Sequence, residues 1–446
     1  MTVVLFLIGV VVLVVGLAVS IALHEIGHLL PAKLFGVRVG QYMIGFGPTL
    51  FSRRIGETEY GFKALPLGGY ISMAGMYPPS PAIEGDPGAR ERARPTRLGK
   101  FFATMIQDAR AANDETLADD DQRVFYRLPV FKRVIVMLGG PVMNLLLAIV
   151  LFAIVFSGIG VSTASTTVAS VSQCVVPADA GRDTCSDTDP ASPAAAAGIE
   201  PGDVIVSIDG TSVSTFAEAT AIIQQHAGDA IPVVVSRDGQ EQTLTVTPVE
   251  ATRPVYGDDG AALTNADGTA QTQQVGFVGV SPQETHVAQP IWSGPQAALE
   301  NVGAVAGIMT QLPVRVYDTA VDLFTGQARD PNGPLSVVGA GRLAGEVAAV
   351  DAPVLDRVSS LLGLLGSLNI ALFVFNLLPL LPLDGGHIVV ALWDGIKRLF
   401  ARLRGRVARP VDATKLVPVT FVVVVLLIGM GGILIAADLF NPVQLF

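Results

Sequence analysis

The chain has 446 residues, of which 50% are hydrophobic and 15% charged, with a mean hydropathy of +0.52 and a formal net charge of −10. It is too apolar for an ordinary soluble protein and too polar to consist of membrane spans alone, so spans plus at least one soluble domain are expected. The acidic balance argues against nucleic acid as a partner, and five histidines are too few for buffering or storage.

Val3 to Leu23 contains no charged residue, and at ~1.5 Å rise per residue it covers the ~30 Å hydrocarbon core of a bilayer. It reads as a first span. A signal peptide is the alternative, but Met1-Thr2-Val3-Val4 lacks a basic n-region and no small-residue cleavage site comes after Ser20. The run ends in His24-Glu25-Ile26-Gly27-His28. Two imidazoles four residues apart project from one helix face and can grip one metal ion. In soluble zinc proteases with this spacing the intervening Glu does not ligate; it takes a proton from the attacking water. Ionisable groups at membrane depth are costly and usually functional.

Two short apolar-rich segments come next, Gln41–Pro48 and Glu59–Pro66, divided by Ser52–Gly56; they predict a β-hairpin. Pro78–Gln122 is Pro-rich and charge-mixed, which predicts a flexible insert with a short helix near Leu98–Ala112. Arg127–Arg133, with Phe125, Tyr126 and Phe131, reads as an interfacial entry into a second span, Val134–Phe156. From about 160 to 290 short β-like runs alternate with turns. A strand over Val204–Ile208 sits between Pro201-Gly202 and Asp209-Gly210, a helix over Phe216–His226 succeeds it, and Ile231–Val235 and Gln242–Val246 form a hairpin around Asp238-Gly239. Cys174 and Cys185 lie close enough in sequence for a disulfide, the alternative being two inert thiols. Asp258–Gln274 reads as a loop, and 294–357 as a segment along the outer face with a turn at Pro331-Asn332-Gly333-Pro334. Leu361–Leu378 and Leu416–Ala437 complete a count of four spans.

Lys and Arg placement orients them. Residues 31–133 hold 15 Lys and Arg against 11 Asp and Glu, 397–415 hold 7 Lys and Arg, and 158–351 hold 6 against 22. Basic segments stay in the cytoplasm, so both termini and the 158–351 segment are expected outside. His24–His28 then lies toward the cytoplasmic end of the first span, and the residues after Leu378 lie at the same depth.

The third span runs into Asn376-Leu377-Leu378-Pro379-Leu380-Leu381-Pro382-Leu383-Asp384-Gly385-Gly386-His387. Two prolines and two glycines break the helix, and irregular backbone at membrane depth is tolerated only inside protein or beside a watered cavity. Asp384 suits, by charge, hardness and depth, the third protein position around a zinc ion held by His24 and His28, leaving the fourth for water. The alternative is an ordinary helix-ending Asp-Gly turn. His387 lies beyond the turn and reads as a supporting or interfacial group. Asn376 reads equally as an interhelical hydrogen-bonding residue or as a donor to a substrate backbone or oxyanion.

These residues resemble the site-2 protease family of intramembrane zinc metalloproteases, in its bacterial RseP-like branch. Supporting marks are Gly139-Gly140-Pro141-Val142-Met143-Asn144, similar to the family's GPxxN element, and Gly45-Phe46-Gly47-Pro48 with Leu67-Gly68-Gly69-Tyr70, similar to its membrane re-entrant hairpin. The 197–210 segment resembles a PDZ domain, and only one such signature is visible. The resemblance implies His24, His28 and Asp384 as Zn2+ ligands, Glu25 as general base, and Asn376 as an aid to substrate or transition state. It implies a re-entrant hairpin in which Gly45, Phe46, Gly47, Gly68, Gly69 and Tyr70 hold the substrate extended. It further implies a multi-pass protein of the bacterial inner (plasma) membrane that makes the site-2 cut in a single-span membrane protein, such as an anti-sigma factor, after a first extracytoplasmic cut.

The expected fold class is therefore a polytopic α-helical membrane protein with a re-entrant β-hairpin and an extracytoplasmic PDZ-like α/β domain. Its expected boundaries are 1–34 for the first span, 35–76 for the hairpin region, 77–127 for the insert, 128–157 for the second span and 160–290 for the PDZ-like domain. Beyond these are expected a juxtamembrane segment at 291–357, the third span with its LDGG loop at 358–395, a basic loop at 396–415 and the fourth span at 416–440. A catalytically silent PDZ-containing membrane adaptor is the rival; it has no need of the non-ligating Glu25. A metal transporter is disfavoured by the lack of an inverted repeat.

Overall fold

A computed structural model describes residues 2–76, 104–107, 123–176, 184–186, 189–255, 263, 265, 271–406, 411 and 416–443. The chain divides into two compact units, one formed by Met1–Gly158 with Pro290–Phe446, the other by Ile159–Gln289.

Among the described residues of the first unit four helices are long and apolar enough to cross a membrane, Thr2–Leu34, Val130–Ile159, Val354–Asn376 and Val417–Phe440, as in a multi-pass membrane protein. Many of their large apolar side chains, such as Val3, Leu7, Val11, Leu146, Val422 and Leu426, face outward, as a lipid environment requires. The helix α1 (Thr2–Leu34) runs eleven residues past the uncharged stretch, continuing through Pro31 and stopping short of Gly36, where φ is +78°. The helix α2 (Val130–Ala153) is continued by a π turn over Ile154–Ile159.

The hairpin region departs from the simple expectation. Strands β1 (Val39–Ile55) and β2 (Thr58–Met73) pair antiparallel, but Gln41, Tyr42, Met43 and Ile44 each face two partners, one in 59–62 and one in 69–72. Both strands fold back on themselves. The result is a curled sheet in which 51–55 pairs with 58–62, 58–62 with 39–44, and 39–44 with 69–73. The bends fall at Gly45, Gly47 and Gly68, whose φ values of +94°, +87° and +137° are barred to most side chains.

The second unit holds a sheet in the order β10-β3-β4-β6-β7, with β5 paired to β4, and a separate β8-β9 pair. In chain order these are β3 (Val161–Val171), a short helix α3 (Pro193–Ala197), β4 (Val204–Ile208), β5 (Thr211–Ser212), the helix α4 (Phe216–Gln225), β6 (Ile231–Arg237), β7 (Gln240–Val246), β8 (Val249–Pro254), β9 (Thr272–Phe277) and β10 (Val280–Val287). Thr215 and Glu218 cap α4 reciprocally, each side chain bonding the other's backbone N–H. Asp238 and Gly239 both take positive φ at the β6–β7 turn, as a tight hairpin needs. Ile205, Ile208, Val233 and Val235 form the core with Ala219 and Ile223 of α4. Cys174 and Cys185 are joined by a disulfide.

Back in the first unit, the 294–357 segment is far more regular than the sequence suggests. It forms α5 (Ser293–Thr325) and α6 (Val337–Ala349), joined through the Pro331–Pro334 turn. The helix α6 lies against the first half of α1: a Cβ on Gly9 would come within 2.2 Å of the Ala344 carbonyl oxygen. The helix α7 (Val354–Asn376) stops before Pro379, α8 (Asp384–Leu403) begins at the predicted carboxylate, and α9 (Val417–Phe440) is the last helix described. Asp438 of α9 pairs with Arg329 and accepts from the backbone N–H groups of Ser336 and Gly339, clipping α9 to the start of α6. Of the 78–122 insert only Thr104–Gln107 is described, as helix; the rest of that expectation, and most of the 258–274 loop, lies outside the described residues.

Candidate metal centre

Two glycines bring the walls of the centre together. A Cβ on Gly27 of α1 would lie 2.2 Å from the Gly139 carbonyl oxygen, and one on Gly139 of α2 would lie 1.9 Å from that of Gly27, so the two backbones touch. Beside this contact, Gly140 leaves room for both imidazoles: its Cβ would sit 2.2 Å from His28 Nε2 and 2.8 Å from His24 Cε1. His24 and His28, one turn apart on α1, therefore converge. Their Nε2 atoms are 3.2 Å apart, and each lies 3.3 Å from Oδ2 of Asp384, the first residue of α8.

Donor chemistry and spacing both fit zinc. A tetrahedral ion with bonds of about 2.0–2.1 Å holds its ligand atoms about 3.3–3.4 Å apart, which these three nearly match. Asp384 Oδ2 is buried without a hydrogen-bond partner, an arrangement that calls for a cation. Among the described residues, His24, His28 and Asp384 are the candidate metal-ligating group of three or more. The Asp384 position depends on its glycines, since a Cβ on Gly385 would meet the Leu377 and Leu378 carbonyls at 2.4 and 2.3 Å.

Glu25 is buried on α1 between the two imidazoles in sequence, and its side chain runs beside the 69–73 segment of β2: a Cβ on Gly69 would come within 2.9 Å of Glu25 Cγ. The other hairpin residues are placed differently. Phe46 is exposed, with its ring against Gly68; Gly45 approaches the Lys63 and Leu65 carbonyls; a Cβ on Gly47 would meet open space. Tyr70 Oη donates to Gln41 Oε1 at 3.1 Å. Asn376 is the last residue of α7, where its Nδ2 donates to the Leu372 carbonyl at 3.0 Å, a local bond back along its own helix.

Three groups around the centre were given no role by the sequence. The Val136 carbonyl lies 2.7 Å from His28 Nδ1, and the Asn144 carboxamide 3.2 Å from His24 Nδ1. Asn144 lies in the GPxxN element, which marks the family without revealing a role. Asp394, buried on α8, meets Arg133 at the start of α2, Arg398 at 2.8 Å and the Val411 N–H at 3.2 Å, tying the helix that bears Asp384 to the one behind His28. In the second unit a pocket opens between α4 and the β9–β10 junction, lined by Phe216, Thr220, Ile223 and Gln224 with Arg253 and Val275–Val280.

An HExxH pair and a distant carboxylate gathered among membrane-length helices belong to the class of membrane-embedded metallopeptidases. The model of peptidase family M50, the site-2 proteases, matches residues 12–412, and the chain belongs to that family. It is 35% identical to the protein named zinc metalloprotease Rip1 of Mycobacterium tuberculosis, over 99% of this chain and 100% of the relative. Rip1 of Mycolicibacterium smegmatis is 33% identical over the same shares, and metalloprotease MmpA of Caulobacter vibrioides 28% over 88% of each chain.

Proposed function

We propose that this protein is a zinc-dependent intramembrane endopeptidase that cuts the transmembrane segment of another membrane protein. His24, His28 and Asp384 hold the zinc, and Glu25 is the general base. The observation that carries this is the triangle of Nε2, Nε2 and Oδ2 atoms with 3.2–3.3 Å sides, built from residues 360 positions apart. Zinc bound there supplies a Lewis acid that activates water and polarises the scissile carbonyl. Glu25 takes the proton from the attacking water and passes it to the leaving amine. Asn376, at the end of α7, assists as a donor to the substrate backbone.

The substrate is a single-span protein, such as an anti-sigma factor, already trimmed by a first extracytoplasmic cut. A helical substrate must unwind before its carbonyl can be attacked. The 69–73 segment beside Glu25 pairs with 39–44 on one side, and its other edge suits strand addition by an unwound substrate, with the surrounding curled sheet re-entering the membrane. The unit Ile159–Gln289 is the PDZ-like domain on the extracytoplasmic side of the inner membrane, its α4 pocket the place where it inspects peptides. The centre opens toward the cytoplasmic face. Membership of a peptidase family disfavours the silent adaptor.

Purified Glu25→Gln protein is expected to hold about one zinc per chain and cleave nothing, while His24→Ala and Asp384→Ala lose both. Normal cleavage of a membrane-embedded reporter by Glu25→Gln would reject the mechanism.

A further inference from the structure

Both imidazoles are held from behind by α2. His28 Nδ1 lies 2.7 Å from the Val136 carbonyl oxygen, which can only accept, so Nδ1 carries the proton and Nε2 turns its lone pair toward His24 and Asp384. His24 needs the same arrangement, since its Nε2 faces the same cluster. Behind its Nδ1 stands the Asn144 carboxamide, at 3.2 Å.

Asn144 is 1% exposed, so the protein rather than solvent decides its partners. With its nitrogen toward the ring, Oδ1 is buried without a donor, and the His24 proton is forced onto Nε2, where it would block a metal. The two ends of a carboxamide have the same shape, and hydrogen bonding decides which end faces the ring. Turned over, Oδ1 gains a donor in Nδ1–H and Nε2 is freed.

We infer that Asn144 is a positioning residue of the metal centre: its Oδ1 accepts the Nδ1–H of His24 and fixes the tautomer and plane in which Nε2 ligates. The inference rests on His24 being a zinc ligand. Groups that orient a ligating imidazole typically change metal affinity about 10–100-fold when removed. A residue serving only to pack α2 on α1 would not act on zinc affinity, nor would it distinguish a carboxylate from a methyl-bearing side chain.

The test is zinc affinity of the full-length, detergent-solubilised protein, measured by competition with a chromophoric chelator. Asn144→Leu, which keeps the branched outline and removes the acceptor, is expected to weaken zinc binding about 10–100-fold, whereas Asn144→Asp, which keeps an acceptor, stays near or above wild type. Wild-type affinity in Asn144→Leu, or equal weakening by Leu and Asp, would overturn the inference. Should Asn144→Leu not accumulate folded, Asn144→Ala against Asn144→Asp is read the same way. A His24→Ala control separates the two levels: unchanged zinc affinity there removes the ligand assignment itself, while loss there with wild-type affinity in Asn144→Leu removes only the role of Asn144.

Discussion

At the scale of single residues the centre depends as much on absent side chains as on present ones. Gly140 faces the ring atoms of His24 and His28, and a methyl there would sit 2.2 Å from the His28 nitrogen that faces the cluster. Gly140→Ala is therefore expected to lower zinc occupancy and cleavage at least about tenfold with the helices intact, measured as zinc per chain beside the far-ultraviolet dichroism. The histidine pair was legible in the sequence because a four-residue step fixes a helix face without tertiary information. Asp384 was legible because a carboxylate after two prolines at membrane depth asks for a partner. Val136 and Asn144 were not, since which residues stand behind an imidazole depends on where α2 crosses α1, and that crossing is set by Gly27 against Gly139.

At the scale of elements, the 39–73 region was readable as β structure but not as a sheet folded back on itself. Alternating apolar residues announce strands, whereas the back-folding needs positive φ at Gly45, Gly47 and Gly68, which a glycine permits without requiring. The helix α5 was missed for the opposite reason: Glu300, Arg315, Asp318 and Asp322 interrupt its apolar run, so it has neither the look of a span nor a soluble helix's usual length. In the second unit, the start of β4 and the end of β6 are tied by an ion pair in which the buried Asp203 carboxylate accepts from the part-exposed Arg237 guanidinium at 2.7 and 2.8 Å. That guanidinium holds the Asp203 carboxyl below the ordinary carboxylate range, against its burial. A carboxyl lowered in the folded state contributes stability above its unfolded pKa of about 3.9, and loses that contribution as pH falls through the lower folded value. Arg237→Leu is expected to destabilise this unit at pH 7, the penalty shrinking in acid, as read from urea unfolding followed at several pH values. An equal cost at pH 7 and pH 3 would contradict it.

At the scale of the whole molecule, four membrane-length helices among the described residues, with basic segments at 31–133 and 397–415 and an acidic one at 158–351, predict a topology that can be tested directly. Alkaline phosphatase, active only outside the cytoplasm, is expected to be active when fused after residue 289 and inactive when fused after residue 406; the reverse pattern would invert the orientation. The distant parts of the sequence meet at the proposed metal centre, to which α1 brings two nitrogens and α8 one oxygen. X-ray absorption at the zinc edge of the purified protein addresses it most directly. The wild type is expected to show four nitrogen or oxygen neighbours at about 2.0 Å with the outer scattering of two imidazoles, and Asp384→Ala to show an altered inner sphere or no bound zinc. A spectrum unchanged by Asp384→Ala, or one dominated by sulfur, would contradict the convergence of these three side chains on one ion.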